Sequence, residues 1–97
     1  MKEIIDWEKI KGQYPIGTLI QGTVEHHASF GIFLTLDHPT VKGLVEIVEF
    51  LDEGIMSANN YPAIGEEVTG IVLDYTEGNH QIRLSLKPSK LRSIKMV

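Results

Sequence analysis

Cysteine is absent from the 97-residue chain, which removes disulfides, thiolate chemistry and cysteine-bearing zinc sites and leaves the redox compartment open. Long apolar runs are missing too. No stretch approaches the roughly 18–20 apolar residues that a membrane span needs, and the opening MKEIIDWEKIKG holds no uninterrupted apolar core of a secretory signal. A soluble, cytoplasmic protein with no membrane partner is the expectation. Positive charge is also scarce: nine Lys and Arg stand against thirteen Asp and Glu, a net charge of −4. The molecule as a whole repels polyanions at long range, which excludes a general nucleic-acid glue.

The deficit is uneven. Between Gly43 and Ile82 there is no Lys or Arg, yet Glu46, Glu49, Asp52, Glu53, Glu66, Glu67, Asp74 and Glu77 all fall there. From Arg83 onward come Arg83, Lys87, Lys90, Arg92 and Lys95 with no acid. The field is bipolar, and a polyanion prefers the C-terminal end. No nucleophile, base and orienting group stand at a readable spacing, and no glycine loop suits a phosphate. The sequence therefore reads as non-enzymatic and without a cofactor.

What is present is ordinary globular composition, 42% hydrophobic and 23% charged, enough for one modest core. Five runs carry strand signals: Thr18 to His27, Phe30 to Leu36, Gly43 to Ile47, Val68 to Tyr75 and Gln81 to Lys87. Alternation is clearest in the second and fifth. Ile32, Leu34 and Leu36 share one face against Phe33 and Thr35, and Ile82, Leu84 and Leu86 share one against Arg83, Ser85 and Lys87. Two segments resemble each other, Tyr14 to Val24 and Tyr61 to Val72, each with a turn glycine and a second glycine five residues on. Such a glycine lets a strand coil sharply or another backbone approach.

Ile4, Trp7 and Ile10 recur at helical spacing ahead of Gly12, predicting a short N-terminal helix whose apolar stripe covers one end of the sheet, with Trp7 in the core. The stretch from Phe50 to Tyr61 lacks alternation and reads as short helical turns and a loop between strands 3 and 4. Five bent strands with a longer third connection suit an all-β, five-stranded Greek-key barrel of the OB-fold kind, because closure hides sheet edges. The chain divides into an N-terminal helical extension (1–13), the barrel domain (14–87) and a basic C-terminal tail (88–97). The tail reads as a mobile end, or else as a source of cations the barrel lacks.

The series Gly17-x-x-x-x-Gly22-Thr23-Val24, Phe30-Gly31-Ile32-Phe33-Leu34-Thr35-Leu36, Gly43-Leu44-Val45-Glu46-Ile47, Gly65-Glu66-Glu67-Val68 and Gln81-Ile82-Arg83-Leu84-Ser85-Leu86-Lys87 resembles the RNA-binding domain repeated in ribosomal protein S-one. The likeness covers residues 14 to 87. It implies a barrel that binds single-stranded RNA on an outer face built from its second, third and fifth strands.

Strand parity names the residues of that face. With Ile32, Leu34 and Leu36 inward, Phe33 points out, and Gly31 permits a bulge that turns Phe30 the same way. A register one residue different would place both rings in the core. Arg83 is the outward cation of the fifth strand, suited to a phosphate; Lys87 and the tail assist it. His26 and His27 are consecutive strand residues on opposite faces and cannot chelate one ion. His27 falls on an apolar position, as a partly buried, hydrogen-bonded side chain, which leaves His26 on the ligand side.

Two positions depart from the family pattern. Glu46 stands where a histidine is common, outward beside Phe33, and a carboxylate about 5 Å from a phosphate costs roughly 1 kcal/mol in water and 3 at an effective dielectric near 20. Thr76 stands where an aspartate often ends the fourth strand, and Glu77-Gly78-Asn79-His80 makes a long turn. The sequence-level conclusion is a small, monomeric, non-catalytic single-stranded RNA-binding module, weak and nearly indifferent to base sequence. The ribosome or a basic protein is a further partner. The alternative is a protein-interaction adaptor on the same barrel, with Glu46 and the acidic middle facing a basic partner.

Overall fold

A computed structural model describes residues 6–93; Ile4, expected on the helical stripe, lies outside them. Helix α1 (Trp7–Gln13) starts where the Asp6 carboxylate accepts a 3.1 Å hydrogen bond from the Lys9 amide, satisfying an otherwise orphaned helix donor. The strands are β1 (Leu19–Ala28), β2 (Gly31–Thr35), β3 (Lys42–Glu46), β4 (Glu67–Thr76) and β5 (Gln81–Ser85), followed by helix α2 (Pro88–Ser93). Two 3-10 turns, Ile47–Glu49 and Ala58–Asn60, lie between β3 and β4. No helix among the described residues is long and apolar enough to cross a membrane.

The strands close into a barrel in the order β1-β2-β3-β5-β4, with β3 and β5 parallel and every other pair antiparallel. This is the five-stranded OB-fold barrel that the strand spacing anticipated. Its interior is the aliphatic set that period two selected: Ile32, Leu34, Ile82 and Leu84 are fully buried, with Val24, Val45 and Val72. Each such side chain contributes on the order of 1.5–3 kcal/mol over an exposed one. One mouth is plugged by Phe50 and Tyr61, whose rings stack at 5.5 Å while the Tyr61 hydroxyl donates to the Ala28 carbonyl at 3.0 Å.

Helix α1 covers the other mouth. Ile10 joins the core, the Tyr14 hydroxyl donates to the Asp37 carbonyl, and the Tyr75 hydroxyl donates to the Tyr14 carbonyl at 2.7 Å. Trp7 sits at the rim of the core. Its Nε1 donates to Glu77 at 2.6 Å, its ring meets Tyr75 edge-on, and it packs on His80, which takes φ 52° in the β4–β5 turn.

The internal repeat has a structural meaning. Gly17 donates to the Val72 carbonyl and Val72 to the Thr18 carbonyl; at the other end of the β1–β4 ladder Gly65 donates to Val24 and Val24 to Glu66. The two copies are thus related by a local two-fold through the Gln21–Thr69 pair. Gly22 and Gly70 occupy equivalent places, where a Cβ would sit 3.0 Å from Leu34 Cβ and 3.2 Å from Leu84 Cβ respectively. The equivalence extends to irregularities: β1 slips register between Val24 and His26 against β2, and β4 slips between Val72 and Asp74 against β5.

The C-terminal segment differs from the expected mobile end, through Ser93. Residues 88–93 form α2, pinned by the Ser89 amide donating to Asp52 at 3.1 Å and by Lys90 on Glu49 at 3.2 Å.

Candidate nucleic-acid interface

The two bulges decide which side chains reach the outer face. Without the extra residue Glu25, His26 would share parity with Val24 and point inward; with it, His26 stands opposite Phe33. Likewise the extra residue Leu73 brings Asp74 opposite Arg83. Cross-strand pairing then lays a continuous outer row, His26–Phe33–Leu44–Arg83–Asp74, across β1, β2, β3, β5 and β4. Leu44 is buried yet stands outside the inner core cluster, an apolar floor between the ring and the guanidinium.

Phe30 lies in the β1–β2 turn rather than in β2, which begins at Gly31. It is 52% exposed. Its carbonyl accepts from the Ile47 amide at 2.7 Å, which ties the turn to the end of β3. Gly31 makes that approach possible: a Cβ there would fall 2.2 Å from the Val45 carbonyl oxygen, inside any tolerable contact. Phe30 and Phe33 stand 5.8 Å apart and nearly perpendicular, at 88°, and His26 lies 6.0 Å from Phe33. The rings therefore form a corner flanked by an imidazole, not two parallel shelves. His27 is exposed rather than partly buried; it donates to the Pro62 carbonyl at 2.7 Å and meets Tyr61 edge-on.

Charge on this face is paired. Arg83 Nη1 donates to both oxygens of Asp74 at 2.6 Å, while its Nε and Nη2 both bond Glu46 Oε1, Nε at 3.2 Å. Hydrogen bonds donated to Glu46 and then to Asp74 hold the guanidinium even more firmly protonated than usual. Glu46, expected as an unopposed anion beside Phe33, is thus neutralised by the cation expected to bind phosphate. One row away, Glu25 accepts from Thr35 and from Lys42 at 2.9 Å, which holds its carboxyl below the ordinary range. Thr76 pairs with Gln81 and takes no part in the Arg83 cluster.

Lys87 lies past the end of β5, beyond Ser85, which is fully buried. The sequence reading missed Asp74, Leu44 and the Glu25–Lys42 pair. Parity could have found Leu44 and Lys42, since both alternate with Gly43 and Val45; Asp74 required knowing that Leu73 is a bulge.

No protein-family model matches the chain. It is 38% identical over 81 residues to small ribosomal subunit protein bS1 of Staphylococcus epidermidis, covering 84% of this chain and 20% of that protein. It is 32% identical over 81 residues to 4-hydroxy-3-methylbut-2-enyl diphosphate reductase of Clostridium tetani, covering 84% of this chain and 13% of the reductase. The chain spans only a small part of either relative. Among solved structures, GSP13 from Bacillus subtilis matches with a TM-score of 0.66 at 27% identity, covering 87% of this chain and 60% of that one. A segment common to a ribosomal protein and a reductase is a module rather than either whole protein, and with its motifs in order on a closed five-stranded barrel, the chain is an S-one-type domain of the OB-fold.

Proposed function

We propose that this domain is a non-catalytic module that binds single-stranded RNA across the His26–Phe33–Leu44–Arg83–Asp74 row, seating a base in the corner between Phe30 and Phe33. The observation that carries the reading is the exposed Phe30 set perpendicular to Phe33 on an outer barrel face. An exposed ring leaves a face open to a ligand, and a base on an aromatic ring gains about 1–3 kcal/mol whatever its identity. In this corner a base lies flat on one ring and meets the other edge-on. The likeness to a small ribosomal subunit protein supports RNA, and a ribosomal setting, as partners.

Arg83 contacts phosphate by exchange. The phosphate takes the place of the Asp74 carboxylate, one anion for another, so the net gain from this residue is small. His26 adds a second, weaker ring surface. Lys87 reaches only a strand that continues past the end of β5, which makes it an accessory cation.

A short oligo-uridine titrated into labelled protein tests the reading. Amide shifts gather on His26, Phe30, Phe33, Glu46 and Arg83, and Phe33→Ala weakens binding by roughly 5- to 150-fold. With two or three phosphates neutralised, log K falls by about 1.4–2.1 per decade of salt. Silence up to millimolar RNA removes the proposal and favours the protein-interaction adaptor, for which the two carboxylates around Arg83 offer a basic partner its contact.

A further inference from the structure

We infer that Glu46 reads the Watson–Crick edge of the stacked base and makes this corner prefer guanine over uracil. The inference rests on the RNA-binding reading above and deepens it at one position. Glu46 pairs with Gly31, and the next residue's amide is bonded to the Phe30 carbonyl, so the Glu46 backbone borders the ring corner while its carboxylate stands between that corner and Arg83. Its orientation is fixed: Oε1 takes both Nε and Nη2 of Arg83. Oε2 carries no hydrogen bond among the described residues, and the side chain is 37% exposed. The result is an immobilised acceptor, with negative charge, at the edge of a stacking site.

An acceptor of this kind discriminates by chemistry. Guanine offers two adjacent donors, N1–H and the N2 amino group, which can converge on the one open oxygen, Oε2, while Oε1 stays on Arg83. Uracil offers a single N3–H between two carbonyl oxygens, and bringing it near Glu46 brings those oxygens near a negative charge. Adenine and cytosine each pair one amino donor with an acceptor nitrogen and fall between. The same carboxylate repels a phosphate, so it also orients the nucleotide, base edge toward β3 and backbone away from it. Stacking alone would leave the corner indifferent to base; a fixed acceptor removes that indifference. Carboxylates accepting from base amino groups are an established mode of readout; a bidentate pair discriminates by roughly 5- to 150-fold, and acceptance through Oε2 alone falls at the lower end of that range.

The test uses fluorescein-labelled hexamers of uridine that carry guanosine, inosine or uridine at one central position, with affinities measured by anisotropy on the full chain. The guanosine hexamer binds about tenfold tighter than all-uridine. Inosine, which lacks the N2 amino group, falls between. Glu46→Gln and Glu46→Ala tighten the all-uridine hexamer and reduce the guanosine advantage to less than twofold, whereas Phe33→Ala weakens all three hexamers. Equal affinities for the three hexamers in the unmodified protein overturn the inference and leave RNA binding standing. A guanosine preference that survives both Glu46 substitutions overturns it as well. Absence of binding to any hexamer removes the RNA reading and this inference with it.

Discussion

Asp74 stands directly across from Arg83 only because β4 accommodates Leu73 as an extra residue. The guanidinium is consequently gripped from both sides, by Asp74 through Nη1 and by Glu46 through Nε and Nη2. One cation between two carboxylates leaves this end of the row with a local charge of −1.

Removing one grip therefore strengthens RNA binding. In Asp74→Asn the carboxylate that competes with phosphate for Arg83 is gone, and oligo-uridine affinity rises about fivefold, the roughly 1 kcal/mol of one repulsion near the surface. The salt slope steepens by about 0.7, because the phosphate on Arg83 then displaces no carboxylate in exchange. Affinity measured across a salt series checks both; an unchanged slope would show that Arg83 stays out of phosphate binding.

Two glycine substitutions act in opposite directions. Gly31→Ala puts a methyl group 2.2 Å from the Val45 carbonyl oxygen and 2.9 Å from Glu46 Cα. Strands β2 and β3 separate there, and urea denaturation shows a loss of more than about 2 kcal/mol, as steric conflicts in packed regions do. Gly12→Ala meets nothing within 4 Å and lies in α1. It stabilises by about 0.5–1 kcal/mol through lower backbone entropy of the unfolded chain.

Acid loosens the Trp7 end of the N-terminal helix. Lys11, and then Trp7, hold the Glu77 carboxyl below its usual 4.5. A depressed value in the folded state means that the ionised form stabilises: the contribution is present above about pH 4.5 and disappears as pH falls through the lower folded-state value. Trp7 is the sole tryptophan, so its fluorescence reports the step directly. The transition appears below pH 4.5 in the unmodified protein and is missing in Glu77→Gln; an identical transition in both would assign it to other carboxylates such as Glu25 or Asp52, which are also held low.

Much of this was legible in the chain because period two is a local property. Ile32, Leu34, Ile82 and Leu84 announced the interior, and Phe33 and Arg83 announced the outside, before any coordinate was known. The exposure of Phe30 was readable from Gly31, though as a bulge within the second strand rather than the turn that Phe30 occupies. What stayed hidden depends on long-range register. Nothing in the run Val24-Glu25-His26 marks Glu25 as the extra residue, and nothing marks Leu73; each bulge exists because the facing strand has one residue fewer. The Glu46–Arg83 bond was invisible for a related reason: it needs the parallel pairing of β3 with β5, which brings together residues far apart in sequence. The α2 turn was missed because its anchors, Asp52 and Glu49, lie in the irregular connection.

The pairing of Arg83 gives the barrel a way to refuse unsuitable company. Heparin, duplex DNA and other dense polyanions approach a molecule of net charge −4 and find its one arginine among the strands already occupied, so bulk electrostatic attraction gains no foothold on that face of the barrel. On the proposed reading, what competes for that guanidinium is a flexible chain that can insert a planar ring into the aromatic corner.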